Sequence, residues 1–130
     1  MATPDFSSFT LLIAEDNEQN YRFFELALKP TGITLIHASN GAEAIDLCQQ
    51  HQPHLVLMDA MMPQVSGFEA TKAIKAKFPA LPVIMLTAYA TPSSIREAVN
   101  AGCNDYMAKP ITKTILYSYI QKWLIGTSAS

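Results

Sequence analysis

Thr10-Leu11-Leu12-Ile13-Ala14 runs straight into Glu15-Asp16-Asn17, and Leu55-Val56-Leu57-Met58 runs into Asp59 in the same way. A third run, Val83-Ile84-Met85-Leu86, ends in Thr87. Each is an unbroken stretch of four apolar residues, the pattern of a strand covered on both faces, as in the centre of a parallel sheet. Their interiors are uniform, and their carboxyl ends carry acids or a hydroxyl.

Two weaker strands flank this set. Ile33–Ala38 alternates in polarity and suits an edge, and Asp105–Lys109 closes the series. Between the strands lie helical patterns over Glu18–Lys29, Gly41–Gln52, Gly67–Lys77, Pro92–Ala101 and Thr112–Leu124. Pro30 and Gly32 stop the first, and Asn40 with Glu43 forms a capping box for the second. Thr91-Pro92 suits an N-cap and first helical position, and Gly102 a left-handed terminus. In the last helix Ile115, Leu116, Tyr119, Ile120, Trp123 and Leu124 form one apolar stripe, leaving Tyr117 off it as a candidate partner contact.

Strands alternating with helices imply a parallel sheet with right-handed crossovers. The expected fold is α/β and doubly wound (flavodoxin-like): a five-stranded parallel sheet in order 2-1-3-4-5 with five helices. Such sheets bind ligands beyond the carboxyl ends of their strands, where the order reverses.

Composition narrows the class. The 130 residues are 49% apolar and 9% aromatic, which excludes a disordered chain. No apolar run exceeds four residues, too short to span a membrane, and MATPDFSSFT lacks the features of a signal peptide. A net charge of −2 without a basic cluster argues against nucleic acid as partner. Cys48 and Cys103 have no CxxC-type spacing and suit a reduced, inert pair in a cytoplasmic protein. One domain over 9–125 is expected, with residues 1–8 and 126–130 as loose ends. His37, His51 and His54 share no spacing and read as surface or packing residues.

In the expected topology Glu15, Asp16 and Asp59 converge at one edge. Like charges about 4–6 Å apart cost roughly 3–4 kcal/mol at an effective dielectric near 20, so the cluster calls for cations. Lys109 ends the fifth strand at the same edge. An all-oxygen site of few carboxylates suits Mg2+, with Asp16 and Asp59 as direct ligands, the Met61 backbone carbonyl as a third, and Glu15 acting through water. Thr87 adds a hydroxyl. A carboxylate nucleophile, a metal, a lysine and a hydroxyl are the parts that forming an aspartyl phosphate at Asp59 requires.

The set Glu15-Asp16, Asp59, Met62-Pro63 with Gly67, Thr87-Ala88 and Lys109-Pro110 resembles the receiver domain of two-component response regulators, over about residues 9–125. The resemblance implies that Asp59 accepts a phosphoryl group from a histidine kinase or a histidine phosphotransfer protein. Lys109 would pair with the phosphoryl oxygens, and Thr87 with Tyr106 would form a switch pair. The Lys109–Pro110 bond would be cis. The helix 4–strand 5–helix 5 surface would be the output face, contacting a downstream protein. On this reading the protein is no enzyme beyond assisting its own phosphorylation and dephosphorylation. Asn17–Tyr21 and Gly67–Thr71 resemble receivers attached to hybrid sensor kinases, so a stand-alone regulator and a piece of a larger kinase both fit.

The chain departs from the family pattern at four places. Glu15 stands where aspartate is also common, the Met61 side chain cannot orient a hydrolytic water, Tyr89 is bulky and partly apolar and would shield the site, and Ser66 replaces an acid before Gly67. Met61 and Tyr89 imply a persistent phosphoryl group; Ser66 is expected to leave the chemistry alone. Three alternatives compete. A phosphorylation-independent receiver is disfavoured because every charged site element is present. A phosphatase of the haloacid-dehalogenase type would need an acid two positions after its nucleophile, where Met61 stands. A flavin module would need a Ser/Thr-rich phosphate loop in place of Glu15-Asp16-Asn17.

Overall fold

A computed structural model describes residues 3–126. The order is β1 (Thr10–Ala14), α1 (Glu18–Leu28), β2 (Thr34–Ala38), α2 (Gly41–His51), β3 (Leu55–Asp59), α3 (Gly67–Lys77), β4 (Val83–Thr87), α4 (Pro92–Ala101), β5 (Asp105–Ala108) and α5 (Lys113–Leu124). All strands are parallel in the order β2-β1-β3-β4-β5. β2 and β5 are the edges, and the order reverses between β1 and β3.

Successive strand residues point to opposite faces, so the apolar runs supply two cores. Leu11, Ile13, Leu57, Ile84 and Leu86 meet Phe24 and Leu28 of α1 and Leu116 and Ile120 of α5. Leu12, Val56, Met58, Val83 and Met85 meet Ala44 and Cys48 of α2, Ala70 and Ile74 of α3, and Ala98 of α4. Both faces are therefore covered, and every residue of β3 is buried.

Each helix begins on a side-chain cap: Asn17, Asn40, Ser66, Thr91 and Thr112 each accept from the backbone amide three residues on. These bonds satisfy amides that have no partner within the helix. Ser66 and Glu69 form a complete capping box, which gives Ser66 a structural task. At α2 the expected box is shifted by one residue, since Glu43 returns to the Ser39 amide, 2.8 Å away.

Several boundaries are corrected. The first helix ends at Leu28 and tightens into a 3-10 turn over Lys29–Thr31, because Pro30 has no N–H to continue the α ladder. Gly32 follows at φ 76°, in the left-handed region. β5 stops at Ala108: the Lys109 amide still reaches the Thr87 carbonyl, 2.8 Å away, but Pro110 has no donor. The Lys109–Pro110 bond is cis.

The N-terminal segment is not loose throughout. Phe6 is fully buried, its amide donates to the Thr31 carbonyl at 2.8 Å, and its ring meets Tyr117 edge-on at 6.3 Å. Burying one such ring contributes about 1.5–3 kcal/mol toward holding the segment in place. Tyr117 is thereby corrected from a partner contact to a packed residue, and its hydroxyl donates to the Ala27 carbonyl. Ile115, expected in the apolar stripe, is exposed. Of the expected loose ends 1–8 and 126–130, residues 1–2 and 127–130 lie outside the described residues.

Candidate functional site

β1 and β3 deliver their acids side by side. One carboxylate oxygen from each of Glu15, Asp16 and Asp59 lies within 4.8 Å of the others. Glu15 and Asp59 are buried, at 1% and 5% exposure, while Asp16 faces solvent. Lys109 Nζ sits 3.4 Å from Asp59 Oδ2 and 3.7 Å from Glu15 Oε1. One lysine thus pairs with two of the three carboxylates.

The local backbone holds this crowd in place. The Asn17 amide donates to Glu15 Oε2 at 3.2 Å, and the Met61 amide to Asp59 Oδ1 at 3.2 Å. The Gly67 amide donates to the Ala60 carbonyl, 3.0 Å away, and a Cβ at Gly67 would lie 2.0 Å from the Asp59 carbonyl oxygen. Only a glycine lets α3 start this close to the end of β3.

Burial, then the neighbouring Asp59 carboxylate, raises the Glu15 carboxyl to about 7. Its Oε1 is buried without a hydrogen-bond partner. Lys109, 3.7 Å away, is too far to hydrogen-bond it, and a buried acceptor left without a hydrogen bond costs about 1–3 kcal/mol, so this oxygen fits a site completed by a cation or by water bound to one. The donors are all oxygens, as Mg2+ requires.

On the other side of Asp59, Thr87 closes β4. Its hydroxyl donates to the Tyr89 carbonyl at 3.0 Å, so it bonds within its own loop. Behind it, Met85, Thr87, Ile95 and Tyr106 border a gap too narrow for water. Tyr106 is half-buried and Tyr89 stands exposed. An open cleft of about 450 Å³ lies beside the acids, with Glu15 and Lys109 at its base and Phe23, Tyr89, Pro110 and Ile111 around it.

The structure therefore brings Glu15, Asp16, Asp59 and Lys109 together, with Thr87 at the same sheet edge. Met61 has an exposed side chain and an amide on Asp59. One neighbour escaped the sequence reading: His37 Nε2 lies 2.8 Å from the Glu15 carbonyl oxygen.

A model of the response regulator receiver domain matches residues 11–121. This chain belongs to that family. The receiver is 37% identical over 117 residues to the polar-differentiation response regulator DivK of Brucella anthropi, across 88% of this chain and 95% of that protein. It is also similar to the receiver domain of the sensor histidine kinase PA1611 of Pseudomonas aeruginosa, with a TM-score of 0.84 and 30% identity over 89% of this chain and 97% of that one. That structure has a magnesium ion coordinated in its active-site cleft. A third similar structure is the Saccharomyces cerevisiae complex of the phosphotransfer protein Ypd1 with the receiver domain of its downstream response regulator Ssk1. There the TM-score is 0.86 and the identity 29%, over 96% of this chain and 92% of that one. The receiver is thus a two-component signalling domain, and no described helix is long and apolar enough to cross a membrane.

Proposed function

We propose that this receiver takes a phosphoryl group onto Asp59 from a phosphohistidine of a histidine kinase or a histidine phosphotransfer protein. The observation that carries the reading is the pairing of Lys109 Nζ with buried Asp59, 3.4 Å apart, inside a cluster of three carboxylates. An Asp59 oxygen attacks phosphorus as the P–N bond breaks, and the imidazole nitrogen leaves with the electron pair. Lys109 meets the phosphoryl oxygens, and Thr87 turns its hydroxyl from Tyr89 toward them. Asp16, Asp59 and the Met61 carbonyl would hold Mg2+, with Glu15 reaching it through water. Bound there, Mg2+ supplies positive charge for the transferring oxygens.

The cleft between Phe23 and Pro110 suits the donor's imidazole ring, with the anionic group turned toward Lys109. Thr87 and Tyr106 border the same narrow gap, so a Thr87 that moved toward the phosphoryl group would widen it for the Tyr106 ring to turn inward. That movement would remodel the α4–β5–α5 face for a downstream protein. Met61, whose side chain cannot orient an attacking water, and Tyr89, whose bulk can shield the site, favour a phosphoryl group that persists.

The test is intact mass after incubation with a small phosphodonor, with and without Mg2+. One added phosphoryl group, dependent on the metal, supports the reading. No gain in a folded protein that binds Mg2+ would favour the alternative, a phosphorylation-independent binding module.

A further inference from the structure

His37 lies 22 residues from Glu15 in sequence and opposite Ile13 in register on β2. Its Nε2 is 2.8 Å from the Glu15 carbonyl oxygen. A carbonyl only accepts, so Nε2 carries the hydrogen and donates. The Glu15 amide meanwhile donates to the Ala38 carbonyl at 2.9 Å. Consecutive residues of the edge strand therefore hold both backbone polar groups of Glu15. One does so through the main chain, as an extension of the ladder, and the other through a side chain.

The imidazole is itself held. Tyr21 of α1 stacks on it with centroids 3.8 Å apart and planes 11° from parallel. The Tyr21 amide donates to the Asn17 carbonyl, 3.0 Å away, so the stacking ring belongs to the turn of helix that follows the acids. His37 thus links β2, the Glu15 backbone and the start of α1.

The turn it grips carries a load. Glu15 is almost fully buried, its Oε1 has no hydrogen bond and only Lys109 Nζ at 3.7 Å, and one of its carboxylate oxygens lies within 4.8 Å of those of Asp16 and Asp59. Repulsion and lost hydration both favour opening the turn. We infer that His37 is a positioning residue for the acidic turn: by holding the Glu15 carbonyl it keeps Glu15 and Asp16 facing Asp59. Its consequence for metal binding rests on the receiver reading above; the positioning itself does not.

Two variants separate the hydrogen bond from the stack. His37→Phe keeps a ring against Tyr21 without a donor, and His37→Gln keeps an N–H at similar reach without the ring. NMR amide exchange at Glu15–Asn17 in metal-free protein reads the positioning, and Mg2+ titration reads its consequence. In His37→Phe, exchange at the Glu15 amide should accelerate about three- to tenfold, the effect of losing one hydrogen bond. Mg2+ affinity should fall by a similar factor while the β3 and β4 amides stay as protected as in wild type. His37→Gln should restore both to within about twofold. Wild-type exchange in His37→Phe, or equal impairment in both variants, would overturn the inference. If exchange separates the variants but wild type binds no Mg2+, the positioning stands and the metal assignment fails.

Discussion

The two sides of Asp59 are built differently. On the β1 side, the acidic turn is pinned from other elements: Glu15 by Ala38 and His37 of β2, and the end of β3 by α3, through the Gly67 amide on Ala60. On the β4 side, the hydrogen bonds of residues 88–91 all end within residues 87–95 among the described residues. The first side cannot move without breaking contacts across the fold. The second can move by exchanging one local hydroxyl bond for another. A site that receives a group with one half and reports it with the other needs this asymmetry, since a binding half that yielded would absorb the signal.

Four substitutions probe the asymmetry. Asp59→Asn should abolish phosphoryl uptake by intact mass with the fold unchanged, and uptake at another residue would move the centre of the site. Gly67→Ala should destabilise by roughly 3–5 kcal/mol, in the range of severe steric changes, because its Cβ meets backbone on the rigid side. Denaturant melts check this, and a loss below about 1 kcal/mol would mean that β3–α3 yields easily.

Glu15→Gln tests the electrostatic load. The Glu15 carboxyl is raised from 4.5 to about 7, so the folded state holds a proton that the unfolded state has lost. Metal-free stability should therefore fall as pH rises through that interval. Removing the charge should stabilise the metal-free protein by about 1–2 kcal/mol at pH 8 and have little effect near pH 4. A thermal melt at the two pH values decides, and equal effects at both would remove the load. Ser94→Ala, which cuts the bond from Ser94 Oγ to the Tyr89 carbonyl at 2.6 Å and the return half of the α4 capping box, the Thr91 amide on Ser94 Oγ at 3.1 Å, should cost less than about 2 kcal/mol. It should nonetheless raise amide exchange over 88–91, and a larger stability loss would show that the loop is braced after all.

β1, β3 and β4 were legible in the sequence because burial on both faces leaves continuous apolar runs. Glu15, Asp16, Asp59 and Lys109 were legible because the order 2-1-3-4-5 brings those strand ends together. Phe6 was not, since one aromatic among polar residues has no period, and Tyr117 was misread with it because Phe6 covers that flank of α5. His37 escaped because a side chain crossing from an edge strand to a backbone carbonyl leaves no spacing signal. Pro30 and Gly32 marked the stop of the first helix, but the 3-10 turn over Lys29–Thr31 was not legible, since its form depends on Gly32 and on the Phe6 amide at Thr31.

The most direct test of the two-sided account is residue-resolved hydrogen exchange in Mg2+, before and after phosphorylation with a small phosphodonor. Changes should concentrate in residues 87–95 and around Tyr106, with Glu15–Asn17 and the β3 amides little altered. Changes centred on the acidic turn, with 87–95 unmoved, would contradict it.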